Sequence, residues 1–144
     1  PGGQVTRRVP VGRLIALARR ARRLAYAPYS KLHVGAALLA EDGKVYLGCN
    51  VENASYSQSM CAERSAIYHA VSRGVKKFRA MAVATDAKFP IMPCGACRQV
   101  MSEFNHGMTL IAAARSGPAR IVTTIRDLLP SAFRPRDLKR STRR

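Results

Sequence analysis

The apolar positions of the chain recur with two different periods, one helical and one extended. In VGRLIALARRARRLAYA, residues 11–27, Leu14, Leu17, Ala18, Ala21 and Leu24 fall on one helical face, with Arg13, Arg19, Arg20, Arg22 and Arg23 opposite. Ile15 projects near the arginine arc, and the basic face reads as solvated. Pro28 disfavours helical geometry in Ala27 and closes the element. HVGAALLA and KVYLGCNV, joined by EDG, predict two strands with a tight turn around Asp42 and Gly43. The polar loop ENASYSQSM leads to a helix from about Cys61 to Ser72, ended by Gly74. FRAMAVAT predicts a third strand and DAKFPIMP a loop. CGACRQVMSEF predicts a second short helix, with Pro93 where a helix can start. MTLIAAA and ARIVTTI predict two further strands. Thr124 is placed to cap a short helix through Leu129, and the segment after Pro130 reads as irregular.

The order α-β-β-α-β-α-β-β predicts an α/β fold, a mixed sheet of about five strands with helices packed on it. A chain of 144 residues suits one domain, and no internal repeat or long linker divides it. The organisation expected is a flexible basic N-terminus over 1–10, one domain over 11–133, and a basic, disordered tail over 134–144. No apolar run approaches the roughly 20 residues of a membrane span. The start, PGGQVTRRVP, lacks the apolar stretch of a secretory signal, so a cytoplasmic location is expected.

The net charge of +17 raises a nucleic-acid reading, and its distribution weighs against it as a primary function. Residues 1–40 carry +8 with no acid, residues 134–144 carry +5, and the long middle carries only +4. Charge gathered at the ends suits an accessory electrostatic surface better than a basic groove across a domain.

The candidate chemistry lies in CAERSA and PCGACRQ. Four cysteines in a chain read as cytoplasmic point to metal or catalysis rather than to disulfides. Cys94 and Cys97 are three apart at a helix start, so both thiols can face one side of its first turn, a bite that zinc tolerates well. Cys61 opens the other helix and can supply a third sulfur. Helix N-termini carry partial positive charge, which stabilises thiolates. Arg64, three residues after Cys61, is placed to balance the negative charge of such a site, and Arg98 is a second candidate. Three protein ligands leave a fourth position open, the arrangement of a catalytic zinc. Glu63 is not needed to hold a metal; beside a zinc-activated water it becomes a general acid–base, its pKa raised by burial. Cys49, at the end of a strand in LGCNV, reads as a buried thiol; as a fourth ligand it would close the site and make it structural.

With these residues in view, the chain resembles the small, homotetrameric zinc-dependent cytidine deaminases, the free-nucleoside branch of the cytidine/deoxycytidylate deaminase superfamily. The matching stretches are AYAPYSK, VGAALL, GCNVENASYS, CAERSAI, PCGACRQV and LLPSAF, over about residues 11–133. The resemblance implies a three-layer α/β/α fold, one Zn²⁺ per subunit on Cys61, Cys94 and Cys97, and Glu63 as proton shuttle in the hydrolysis of cytidine and deoxycytidine to the uridines. It implies that Asn50 and Glu52 hydrogen-bond the ribose 3′-hydroxyl and that the Ala62 N–H contacts the base carbonyl. It implies that Phe133, and with it Tyr56, reaches a neighbouring subunit's site, so that active sites are shared within the tetramer. Leu32 stands where the family usually has an aromatic residue against the pyrimidine. His33 has no assigned role, and His69 and His106 read as surface or packing residues.

Two rival readings stay open at this level. One keeps the chemistry and changes the substrate to a modified cytosine nucleoside, with Leu32 as its support. The other is a basic RNA-binding protein with a structural zinc, resting on the Arg-rich first helix and RPRDLKRSTRR and requiring Cys49 in a closed four-thiol site.

Overall fold

Alternation along the central strands decides which helix packs where. In β1 (Val34–Ala40), Ala37 and Leu39 face one side of the sheet while Ala36, Leu38 and Ala40 face the other. In β3 (Phe78–Thr85), Ala80, Ala82 and Ala84 share the first side, and Met81 and Val83 the second. Both faces are apolar, so both must be covered, and these strands read as continuous apolar runs rather than alternating ones. The computed structural model describes residues 8–142. Its other elements are α1 (Val11–Arg22), β2 (Val45–Cys49), α2 (Ala62–Ser72), α3 (Gly95–Phe104), β4 (Thr109–Ala113), β5 (Arg120–Thr124), α4 (Ile125–Leu128) and α5 (Pro135–Thr142).

The strands form one sheet in the order β2-β1-β3-β4-β5. β3 and β4 run parallel, pairing Ala82 with Ile111, and every other neighbouring pair is antiparallel. α1 covers one face with Leu14, Ile15 and Ala18. α2 and α3 cover the other with Ala62, Ala66, Ile67, Ala70, Cys97 and Met101. The three-layer α/β/α arrangement is therefore as the sequence implies. No helix among the described residues is long and apolar enough to cross a membrane.

Two glycines set how closely the layers approach. A Cβ on Gly35 would lie 2.0 Å from the Ala18 carbonyl oxygen of α1, and one on Gly48 would lie 2.4 Å from the Ala66 nitrogen of α2. Only glycine fits where helix backbone presses on strand backbone. Gly48 thereby seats α2 against β2.

α1 departs from its projection in three ways. It ends at Arg22 rather than near Ala27, because Tyr26 is drawn into an extended bridge with Val51: the Tyr26 N–H donates to Asn50 O (2.9 Å) and the Glu52 N–H to Tyr26 O (2.8 Å). Leu24 is consequently 80% exposed, while Ile15, near the arginine arc, is only 2% exposed. The arginine face is not all solvated either. Arg19 donates to Ala114 O (2.9 Å) and Gly117 O (2.9 Å), and Arg22 to Thr85 O (2.6 Å) and Arg115 O (3.2 Å). These two side chains tie α1 to the ends of β3 and β4.

The remaining differences lie near the C-terminus. Beyond Pro130, where the sequence reads as irregular, the chain forms α5, with Asp137 accepting the Arg134 N–H (2.8 Å) in the manner of a helix cap. Thr124 does cap α4, accepting the Asp127 N–H at 3.2 Å. Residues 1–7 of the expected flexible N-terminus, and 143–144 of the expected tail, lie outside the described residues.

Candidate active site

Cys61 and Cys94 are the N-caps of α2 and α3, each with extended backbone geometry (φ −72°, ψ 152° and φ −67°, ψ 168°). Neither side chain caps its own helix, so both sulfurs are free to turn toward one another. Cys97, one turn into α3, is fully buried. The three sulfurs lie within 4.8 Å of one another, with Cys61 Sγ and Cys94 Sγ 3.9 Å apart. Tetrahedral zinc with sulfurs near 2.3 Å requires S···S separations of about 3.8 Å, so the donor set fits that ion.

The electrostatics agree with the geometry. The Cys61 thiol is driven down to about 5, first by a hydrogen bond from Cys97 and then by Arg64, whose Nη2 lies 3.3 Å from its sulfur. The Cys97 thiol, holding the shared proton, is driven up by that same bond and by burial. A divalent cation bound here would take all three sulfurs as thiolates.

Glu63, in the first turn of α2, is 5% exposed. Burial pushes its carboxyl up to about 7, with the Cys61 charge adding to the effect. A carboxyl balanced near neutrality can both accept and return a proton. An acid placed here only for the helix dipole would face solvent; this one does not.

A second bridge ties the segment carrying Asn50 and Glu52 to the chain just before Cys61. Val51 and Met60 exchange backbone hydrogen bonds of 3.0 and 2.9 Å, which lays residues 50–52 beside the residue preceding Cys61. Asn50 Oδ1 accepts the Val34 N–H (2.8 Å) and its Nδ2 donates to Leu32 O (2.8 Å). One amide N–H of Asn50 is left over. Glu52 lines a cavity of about 320 Å³ together with Tyr29, Ser30, Tyr56 and Ser59.

The cytidine and deoxycytidylate deaminase zinc-binding region matches residues 11–113 of the chain. A cytidine deaminase of Sporosarcina psychrophila is 52% identical over 128 residues, covering 89% of this chain and 94% of its own. One from Halalkalibacterium halodurans is 46% identical over 125 residues, covering 87% and 95%. The chain belongs to the cytidine and deoxycytidylate deaminase family. Among solved structures, the cytidine deaminase of Burkholderia pseudomallei superposes with a TM-score of 0.83 at 48% identity, covering 87% of this chain and all of that one.

The family's zinc-binding region thus includes the Cys61, Cys94 and Cys97 cluster. Cys49 is not part of that cluster, although all four cysteines are described; it is a half-buried thiol whose pKa burial raises. Among the described residues, the cluster that could hold a metal is thus one of three thiols, without Cys49. Arg98 serves elsewhere, donating to Pro93 O (2.8 Å) and Leu128 O (3.1 Å) and so joining the start of α3 to α4. Arg64 alone of the two arginines meets the thiols.

The remaining positions named from the sequence are spread around the site. Ala62 is fully buried at the first position of α2, where a backbone N–H has no partner within the helix. Leu32 is 38% exposed, beside the Asn50 amide. Tyr56 packs edge-on against Tyr29 at 6.0 Å and is otherwise open. Phe133 is exposed at the surface, its carbonyl held by Gln99 of α3 (2.8 Å). Sequence reasoning passed over Ser30, which contacts Glu52 directly. Its signal is its place in AYAPYSK, one of the stretches that match the family.

Proposed function

We propose that this protein is a zinc-dependent deaminase that hydrolyses cytidine and deoxycytidine to uridine and deoxyuridine, releasing ammonia. The observation that carries the reading is a buried carboxyl, Glu63, held beside a three-thiol cluster of zinc dimensions. Cys61, Cys94 and Cys97 would hold the ion, which supplies Lewis acidity and makes a water nucleophilic near neutral pH. Glu63 accepts the proton of that water as the oxygen bonds to C4 of the cytosine, and delivers it to N3. It then takes the remaining proton from the new C4 hydroxyl and passes it to the amino group, so that the C4–N bond breaks, C4 becomes a carbonyl, and ammonia leaves a uracil ring. Arg64 offsets the charge of the thiolates throughout.

Asn50 and Glu52 bind the ribose 3′-hydroxyl. The free amide N–H of Asn50 and the remaining lone pair on Oε2 of Glu52 complement a group that both accepts and donates. The Ala62 N–H takes the base carbonyl, and Leu32 packs against the pyrimidine in place of an aromatic side chain. The enzyme is a homotetramer in which Phe133 and Tyr56 complete a neighbouring subunit's site. Support comes from the exposed apolar side chains near the cavity and beyond it: Tyr29, Leu32, Val51, Tyr56 and Phe133. It acts in the cytoplasm, in pyrimidine salvage.

Ultraviolet-monitored deamination of cytidine by zinc-quantified protein tests the reading, with Glu63→Gln as control. Conversion that the variant loses by about 10²-fold or more, with zinc retained, is expected. A wild-type protein that holds one zinc per chain and leaves cytidine and deoxycytidine untouched would overturn it.

A further inference from the structure

Glu52 sits outside regular secondary structure, yet its carboxylate is held at three points. Oε1 accepts the N–H groups of Tyr29 (3.0 Å) and Ser30 (3.1 Å), and Oε2 accepts the Ser30 hydroxyl. The same hydroxyl oxygen accepts the Leu32 N–H at 3.0 Å, so its single proton is committed to Glu52. Leu32 in turn accepts from Asn50 Nδ2 through its carbonyl. The four residues thus form one hydrogen-bonded chain, Glu52–Ser30–Leu32–Asn50. Closing it places Lys31, between Ser30 and Leu32, at φ 63°, a left-handed conformation that non-glycine residues seldom adopt.

We propose that Ser30 is a positioning residue for sugar recognition: its hydroxyl fixes the rotation of the Glu52 carboxylate and, through Leu32, the plane of the Asn50 amide. The inference rests on the reading that Asn50 and Glu52 bind the ribose 3′-hydroxyl. Among the described residues, the hydrogen bonds on the Glu52 carboxylate come from two main-chain N–H groups and one side chain, the Ser30 hydroxyl. Without that hydroxyl, Oε1 keeps both main-chain donors while Oε2 is released, and the carboxylate can pivot about Oε1. The Leu32 N–H loses its acceptor as well, which loosens the carbonyl that orients Asn50. Substrate contacts that need both groups in register weaken, while the cluster at Cys61, Cys94 and Cys97 is untouched.

The experiment compares kcat/KM on cytidine and on 3′-deoxycytidine for the wild type, Ser30→Ala, Ser30→Thr and Glu52→Ala, with zinc content measured for each. The expected result is a wild-type preference for cytidine that Glu52→Ala abolishes and Ser30→Ala reduces about tenfold, mostly through KM. Ser30→Thr, which keeps the hydroxyl, restores most of the preference. A preference lost in Glu52→Ala but intact in Ser30→Ala would overturn the role of Ser30 and leave the sugar-binding reading standing. A preference that survives Glu52→Ala would overturn that reading, and Ser30's role with it.

Discussion

Arg64 Nη2 lies 3.3 Å from Cys61 Sγ, reaching back one turn along the helix that Cys61 caps. The guanidinium is the one full positive charge brought directly onto the cluster among the described residues, and its Nε is buried with no partner. Hydrogen bonds to ligand sulfurs tune metal sites strongly. Arg64→Gln should therefore lower zinc affinity by roughly 10–100-fold in a chelator competition, with the fold intact by circular dichroism. Wild-type affinity in the variant would reduce Arg64 to a packing residue.

Cys49 provides the complementary test of an open site. It lies outside the three-sulfur cluster, at the end of β2, with its thiol pKa raised by burial rather than lowered by a cation. Cys49→Ser should keep one zinc per chain and turnover near the wild-type value. Zinc lost in parallel with the substitution would mean a closed four-thiol site and a structural role for the metal.

The parts of this fold that were legible in the sequence are those with a local cause. The buried strands announce themselves because both faces of β1 and β3 are apolar, and the helix starts because Cys61, Pro93 and Cys94 stand at them. The cysteine spacing foretold the cluster for the same reason. What could not be read has a distant cause. The end of α1 is set by the Tyr26–Val51 bridge, and Arg19 and Arg22 find carbonyl partners 63 to 98 residues away. A helical projection cannot distinguish those two arginines from solvated ones. The Ser30–Glu52 bond, across 22 residues, is likewise invisible to spacing, although both residues sit in stretches that match the family.

Gly48 links the sheet to the chemistry. Its hydrogen occupies a position where a Cβ would lie 2.5 Å from Ala62 O and 2.4 Å from Ala66 N, both backbone atoms of α2. Backbone cannot rotate aside, so Gly48→Ala must lift α2 or displace β2. Overpacking of this kind costs about 1–3 kcal/mol. Because α2 carries Cys61 at its N-cap and Glu63 in its first turn, the displacement should reduce zinc content and turnover along with melting temperature. A variant melting like the wild type, with full zinc, would show that the layers have slack at this point.

Asp86, just beyond β3, gathers three groups from other elements. Its Oδ2 accepts the His33 N–H (2.9 Å) and lies 2.7 Å from His33 Nδ1, while Oδ1 is 3.8 Å from Arg22 Nε of α1. Burial pushes the carboxyl up, but the His33 hydrogen bonds and the nearby positive charges outweigh it and hold the group below its ordinary value. A carboxyl depressed in the folded state contributes stability that is fully present above its unfolded value, near pH 4, and is lost as pH falls through the folded one. With the side chain 38% exposed, the contribution is about 1 kcal/mol rather than that of a buried pair. Asp86→Asn should thus lower the melting temperature by about 4 °C at pH 7, and the difference should shrink only below pH 4. A difference that stays the same size as the pH is lowered from 7 through the folded-state value would assign the effect to side-chain shape, because there protonation removes the charge from the wild type alone.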